Sequence, residues 1–272
     1  MLPDESHWDA EAYHRVSDPQ VAWGRAVLSR LELRGDEIVL DAGCGTGRLT
    51  RELAARLPRG AVVALDASSQ MLEQARTYLA DCQPPVRFVR ASLPVLPFDR
   101  VADVVFSTAT FHWVPDHPAL FANIHRALKP GGLLHAQCGG YGNLAIARTP
   151  AEALMKHPRF AKWFADWRPV WEFADASVTA NRLATAGFRD IDTSLETAPV
   201  AFEDEAAYRA FVSTVVFRLH LAKLPDELRL AFLDELVERV RPMPEGFTLD
   251  YVRLNLRAQK SNLEPRVFRP EV

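Results

Sequence analysis

Asp41-Ala42-Gly43-Cys44-Gly45-Thr46-Gly47 is the stretch on which the fold turns. Glu37-Ile38-Val39-Leu40 runs into it as a short apolar strand, and helical spacing resumes from Arg48 to Leu57. Glycines between a strand and a helix let backbone approach a ligand closely and present helix N-terminal amides to it. A dinucleotide fingerprint needs Gly or Ala at its last place, which is Arg48 counted from Gly43 and Thr50 counted from Gly45. The phosphate-loop pattern fails too, because no Gly-Lys-Ser/Thr occurs there. An acidic residue before the glycines suits a ligand with an ammonium and a carboxylate better than phosphates, and Asp66 at the end of the next strand is placed to accept from both ribose hydroxyls. The implied ligand is an amino acid joined to a nucleoside; the plainer alternative is a tight turn and nothing more.

Outward from the loop the pattern repeats. Ala61 to Leu65 is a second apolar strand, Ser68 caps a helix through Leu79, and Val86 to Val89 is a third strand. Val101 to Phe106 is the fourth, a helix follows from about Asp116 to Leu128, Lys129-Pro130-Gly131-Gly132 stops it, and Leu133 to Cys138 is the fifth. Upstream, Asp18-Pro19 opens an amphipathic helix carrying Val21, Trp23, Val27, Leu28 and Leu31. Continuous apolar strands alternating with helices mean a parallel sheet covered on both faces. The expected fold is α/β, a doubly wound Rossmann-like, seven-stranded, mostly parallel sheet with helical lid insertions. Its ligand belongs at the strand ends near the reversal of strand order, beside the first strand, where Gly43, Asp66, Ser92 and Ser107 follow strands.

After Gly140 large aromatic side chains dominate, among them Phe160, Trp163, Phe164, Trp167 and Trp171, read as lid core. Val178 to Ala186 is a short helix ended by Gly187, Phe188 to Leu195 a strand, Glu203 to Val240 helical, and Phe247 to Ala258 one last long strand. The expected division is 1–35 as N-terminal cap helices, 36–139 as the cofactor-binding core, 140–186 as a helical lid insertion, and 187–272 as late strands carrying a second lid insertion at 203–240.

The whole chain has 272 residues, 48% apolar and 25% charged, the composition of a soluble globular protein. Lys and Arg total 32 against 35 Asp and Glu, a formal charge of −3 without a long run of either sign, so neither nucleic acid nor an acidic surface is indicated as a partner. Cys44, Cys82 and Cys138 are odd in number and lack CxxC spacing, which fits a reducing compartment better than a disulfide framework or a zinc site. The acidic start, Met1 to His7, is not a secretory signal, and no apolar run is long enough for a bilayer. A cytoplasmic protein, monomer or homodimer, is expected.

Glu37 to Leu49, Leu65 to Leu72, the Leu96-Pro97-Phe98 turn, Val104 to Trp113 and Leu128 to Gly132 resemble, in order and spacing, the motifs of class I S-adenosylmethionine-dependent methyltransferases. A weaker similarity, extending into Phe247 to Gln259, is to the small-molecule group that contains trans-aconitate methyltransferase and the malonyl-carrier-protein methyltransferase of biotin synthesis. The resemblance implies S-adenosyl-L-methionine as cofactor, with Asp41, Gly43 and Gly45, flanking Cys44, at the methionine moiety. It implies Asp66 with Ala67 at the ribose, Met71 on one face of adenine, and Ser92, Leu93 and Ser107 completing the pocket, with Tyr13 and Trp23 closing it. Met71 fits plain core equally well, and Ser92 stands where the family usually has Asp.

The fourth strand ends Ser107-Thr108-Ala109-Thr110 and lacks the Asn/Asp-Pro-Pro-aromatic motif of enzymes that methylate planar nitrogens. No metal-ligating trio or His pair is apparent, so metal-free chemistry is expected. His112 is the candidate for orienting the acceptor or acting as a base, with Trp113, Tyr141, Arg148, Arg218 and His220 as acceptor contacts. Carboxylate O-methylation of a small organic acid is the expected reaction. Carbon or nitrogen methylation, or a non-methylating enzyme or cofactor-binding protein on the same fold, are its alternatives.

Overall fold

A computed structural model describes residues 10, 11, 14 and 17–262. Its main sheet has seven strands in the order β3-β2-β1-β4-β5-β9-β6. They are β1 (Ile38–Ala42), β2 (Ala61–Asp66), β3 (Arg87–Arg90), β4 (Ala102–Thr108), β5 (Leu128–Gly139), β6 (Phe188–Thr197) and β9 (Val252–Lys260). The first five pair in parallel, and β9 runs antiparallel to both β5 and β6. The chain steps from β3 across to β4, so strand order reverses at β1 and opens a crevice at its carboxyl end.

Single-residue alternation in the inner strands divides the core. Val39, Val104 and Phe106 pack on one face with Val27 and Leu28 of helix α1 (Asp18–Ser29), Leu31 just beyond it, and Leu53 of helix α2 (Arg48–Ala55). Leu40, Ala42 and Val105 face the other way, against Leu120, Phe121 and Ile124 of α4 (His117–Ala127) and Leu183 of α6 (Ala176–Thr185). Each such side chain contributes about 1.5–3 kcal/mol of transfer free energy. The short polar residues at helix starts act as caps. Ser68 Oγ accepts from Met71 N at 3.3 Å to open α3 (Ser69–Tyr78), and Asp116 Oδ1 accepts from Ala119 N at 2.9 Å to open α4. Each cap stabilises its helix by about 1 kcal/mol.

A second apolar cluster lies over the strand ends and forms a lid. It joins Leu144, Ala147 and Leu154 around α5 (Ala145–Met155), Phe160 and Phe164, Tyr208 and Phe211 of α7 (Glu205–Phe211), Phe217, and Phe232, Leu236 and Val240 of a long lid helix. That helix is α9 (Asp226–Val240), preceded by α8 (Arg218–Lys223) and a π-helical turn at Val212–Val216.

One expectation is corrected here. Phe247 to Ala258 is not one strand: β8 (Thr248–Leu249) pairs with β7 (Val200–Ala201) in a separate two-stranded sheet, and β9 begins only at Val252. The break falls at Asp250, whose carboxylate leaves the strand pattern to accept from Ile146 N at 3.1 and 3.2 Å and so fixes the start of α5. Among the described residues no helix is long and apolar enough to cross a membrane.

Candidate functional site

The glycine loop leaves β1 with its first amides already spent. Gly43 N and Cys44 N both donate to Leu65 O, at 2.8 and 2.9 Å, which ties the loop to the end of β2. Gly43, Gly45 and Gly47 all have positive φ, a conformation that side chains resist. A Cβ on Gly43 would overlap the Thr110 side chain, whereas one on Gly45 would meet nothing within 4 Å. The backbone at Gly45 therefore faces open space. Thr110 Oγ1 donates to Thr108 O at 2.9 Å and to Gly43 O at 3.3 Å, holding the loop against the end of β4. Beside it Ala109 has φ +54, a strained value for a residue with a Cβ.

Two carboxylates face this loop. Asp41 is buried, accepts from Thr50 Oγ1 at 2.6 Å, and has its carboxyl pushed up to about 6 by burial, with the nearby Asp66 charge adding to the rise. Asp66 Oδ2 accepts from Gly45 N at 3.0 Å and its Oδ1 from Ser68 N at 2.9 Å. Carboxylate oxygens are the acceptors that hydroxyls of a ligand need. Together the two acids make the loop a region of negative potential that repels phosphate and suits a cationic ligand. The residues present fit an aminoacyl nucleoside: an open glycine cradle, an acid at its base and a second acid one strand along.

Around this cradle Cys44 is half-buried and its thiol is pushed well up by burial. Ala67 O accepts from Arg90 Nε at 3.0 Å, Met71 is buried, and half-buried Ser92 opens the short turn at Leu93–Val95. Ser107 Oγ donates to Ala42 O at 2.6 Å, so this hydroxyl fastens β4 to β1. Leu93 packs into the sheet core. Tyr13 lies outside the described residues. Trp23, expected to help close the cofactor pocket, packs edge-on against Tyr251 at 4.7 Å and lies under the Arg253 guanidinium at 4.6 Å.

Tyr251 and Arg253 border a cleft, partly open to solvent, between the β4, β5 and β9 ends and the lid. Its walls are aromatic: Trp113, Trp171, Phe173 and Tyr251, with His112 stacked on Phe173 at 5.7 Å. His112 is 8% exposed, and its Nδ1 accepts from Gly139 N at 3.2 Å. The imidazole proton therefore resides on Nε2, making the free edge a donor. Burial, with the Arg253 charge reinforcing it, holds His112 well below the usual histidine range, so it is neutral at physiological pH. Gln20 also lines the cleft, with Oε1 buried and lacking a hydrogen-bond partner among the described residues.

Sequence reasoning missed Arg253. It sits on β9 opposite Gly139, is 3% exposed, lines the cleft and donates through Nε to Gln137 Oε1 at 3.3 Å. The signal available was an arginine between the apolar Val252 and Leu254 at the start of the last strand.

Three expected acceptor contacts are corrected. Tyr141 is 68% exposed, its backbone N tied to Ala174 O, and it does not line the cleft. Arg148 pairs with Glu152 at 3.2 Å and lies across Phe173, outside the lining. His220 is buried among Trp167, Trp171 and Phe217, and burial pushes it down to about 3, so it is an uncharged part of the lid core. Arg218 lies over the Trp113 ring at 5.7 Å, and Trp113 itself lines the cleft.

Residues 39–132 match a family model described as a methyltransferase domain. Among curated proteins, the trans-aconitate 2-methyltransferase of Methylobacterium radiotolerans is 30% identical over 241 residues, 84% of this chain and 86% of that protein. The protein of the same name from Methylobacterium nodulans is 32% identical over 191 residues, 70% of this chain and 68% of its own. The one from Azoarcus sp. is 35% identical over 130 residues, a match spanning 50% of its length. Among solved structures, phosphoethanolamine N-methyltransferase 2 of Haemonchus contortus has a TM-score of 0.60 at 18% identity, covering 93% of this chain and 57% of that one. The cyclopropane synthase MmaA2 of Mycobacterium tuberculosis has 0.57 at 20% identity, covering 88% and 84%. At those identities the structures establish the fold alone.

Proposed function

We propose that this chain, which belongs to the S-adenosylmethionine-dependent methyltransferases of the trans-aconitate methyltransferase group, methylates a carboxylate oxygen of a small organic acid in the cleft beside β9. The observation that carries the acid assignment is the similarity to trans-aconitate 2-methyltransferases along most of the chain, and it is supported by Arg253, a buried guanidinium among the residues lining the aromatic cleft. S-adenosylmethionine supplies a methyl group on a positively charged sulfur. Asp41 and the Gly43 to Gly45 backbone hold its methionine end, and Asp66, with Ala67 beside it, accepts from the ribose hydroxyls. Met71, Ser92 and Leu93 border the adenine.

The acceptor carboxylate is already ionised near neutral pH, so no base is required. Arg253 and the His112 Nε2–H would donate to it and orient one oxygen toward the donated methyl group, since displacement at carbon needs an aligned nucleophile. His112 thus orients and does not abstract a proton. Aromatic walls keep water out and present electron-rich faces toward the positive charge. Free Cys44, Cys82 and Cys138, two of them buried, support a reducing, cytoplasmic setting, and we read the enzyme as a monomer or homodimer, which sedimentation would separate.

The test is transfer of labelled methyl from S-adenosylmethionine to a panel of organic acids, followed by mild alkali. Label released as methanol is expected from an ester. Label that survives alkali would mean carbon or nitrogen methylation and overturn the carboxylate assignment.

A further inference from the structure

His112 and Trp113 belong to a single helical turn, Phe111–Trp113, and one turn has too few internal bonds to hold its side chains in place unaided. Trp171 and Phe173, on either side of Glu172, belong to a segment without regular structure. Both pieces line the cleft, so what fixes them fixes its shape. The fixing groups are Arg182, His117 and Glu172, none of which is among the lining residues.

Arg182 stands on α6 and divides one nitrogen between two partners. Its Nη1 donates to Glu172 Oε1 at 2.8 Å and to His117 Nδ1 at 3.0 Å. His117 is 1% exposed, and burial holds it below the usual histidine value, so the ring is neutral and, with Nδ1 accepting, carries its proton on Nε2. That Nε2–H donates to Phe111 O at 3.1 Å, and Glu172 N donates to His112 O at 2.9 Å. The bonds run from Arg182 through His117, Phe111, His112 and Glu172 back to Arg182, a closed circuit in which each member orients the next. Phe121 of α4 packs against both the His117 ring at 5.4 Å and the Phe111 ring at 6.2 Å. Gly139 N holds only the Nδ1 of His112; the circuit holds the backbone from which that ring springs.

We propose that Arg182 is a positioning residue for methyl transfer: through His117 and Glu172 it locks the turn carrying His112 to the segment carrying Trp171 and Phe173, so that the acceptor meets the methyl group in one geometry. The proposal rests on the orienting role given to His112 above. Misplacement by about 1 Å can cost on the order of a hundredfold in rate, so the loss of Arg182 belongs in kcat.

The experiment uses the full chain with S-adenosylmethionine and trans-aconitate, succinate and benzoate, and follows kcat and KM on whichever acid is methylated fastest. Arg182→Ala should lower kcat by about tenfold or more, while acceptor KM and S-adenosylhomocysteine affinity change by less than about threefold. Arg182→Lys, which retains a donor cation, should recover part of kcat. Glu172→Gln weakens the circuit at one bond and should fall between, which keeps the test open if Arg182→Ala fails to fold. In a His112→Ala background, already slowed, Arg182→Ala should cost less than about threefold further, because the group it positions is gone; a general loosening of the fold would cost as much in either background. Imidazole nitrogen resonances of the S-adenosylhomocysteine complex should move at His117, which Arg182 touches, and at His112, which it reaches only through the circuit. Unmoved His112 resonances, an unchanged kcat, or an equal loss in both backgrounds would overturn the inference and leave His112 in its role, and the resonances decide even if none of the three acids is methylated. Full activity in His112→Ala would instead overturn the orienting role of His112, and this inference with it.

Discussion

The two ends of the reaction chamber are built in different ways. At the glycine loop the polar groups come from short stretches at the ends of β1 and β2, and they satisfy one another locally: Asp66 takes the amides of Gly45 and Ser68, and Asp41 takes the hydroxyl of Thr50. At the acceptor cleft each wall is brought from a different part of the chain. Gln20 comes from α1, His112 from beyond β4, Trp171 and Phe173 from the segment before α6, and Arg253 from β9. The first end is a motif, and the second is a consequence of packing. A methyltransferase of this construction can keep one end while changing the acceptor at the other, since fold and cofactor do not dictate the acceptor.

The sharpest way to break that comparison is to damage the lid core alone. Phe232 on α9 is fully buried, edge-on to Phe160 at 5.2 Å and tilted against Phe164 at 5.8 Å. Phe232→Ala should cost about 3–5 kcal/mol of local stability, seen as an earlier thermal transition. Because the glycine loop draws on the sheet cores, S-adenosylhomocysteine affinity should move by less than about threefold while methyl transfer collapses. Equal loss of both would mean that the chamber is one cooperative unit.

The complementary change is Asp66→Ala, which should weaken S-adenosylmethionine binding by about 1.5–3 kcal/mol through lost charge-assisted hydrogen bonds. Isothermal titration checks it. Asp66→Asn should fall between, since an amide oxygen can keep only part of the acceptor set that now meets Gly45 N and Ser68 N. Unchanged affinity in both variants would remove Asp66 from the cofactor site.

A third variant separates an acceptor contact from a core residue by pH. His220 has its folded value pushed from 6.5 down to about 3 by burial. The unfolded chain therefore takes up a proton that the folded chain refuses, and stability is lost as pH falls from 6.5 toward about 3. Between neutral pH and about pH 5 that amounts to about 2 kcal/mol. His220→Phe should abolish this component, measured as urea midpoints at the two pH values, and leave the neutral-pH KM for the acceptor unchanged. A raised KM would return His220 to the cleft wall.

Legibility in the sequence follows the same division. The seven-stranded sheet, its order reversal beside β1 and the cap at Ser68 were readable because period, glycine and short polar residues act within a few positions of where they stand. Arg253 was not, because its meaning depends on Trp23 and Gln137, partners remote in the chain. The single strand expected over Phe247 to Ala258 failed for a related reason: Asp250 serves α5, an element whose need for a capping carboxylate is invisible from the strand's own pattern. Even Ser107, correctly placed at a strand end, spends its hydroxyl on Ala42 O within the sheet.

Tyr141 gives the smallest effect and the cleanest check on that account. Chain position alone, just past the end of β5, assigned it to the acceptor, but the backbone turns there: Gly142 takes φ +85 and Tyr141 N donates to Ala174 O, which sends the ring outward to 68% exposure. An exposed ring without an enclosing pocket contributes little to binding, so Tyr141→Ala should change kcat/KM by less than about twofold and stability by less than about 0.5 kcal/mol. A tenfold rise in KM would show that lid closure brings the ring back over the acceptor.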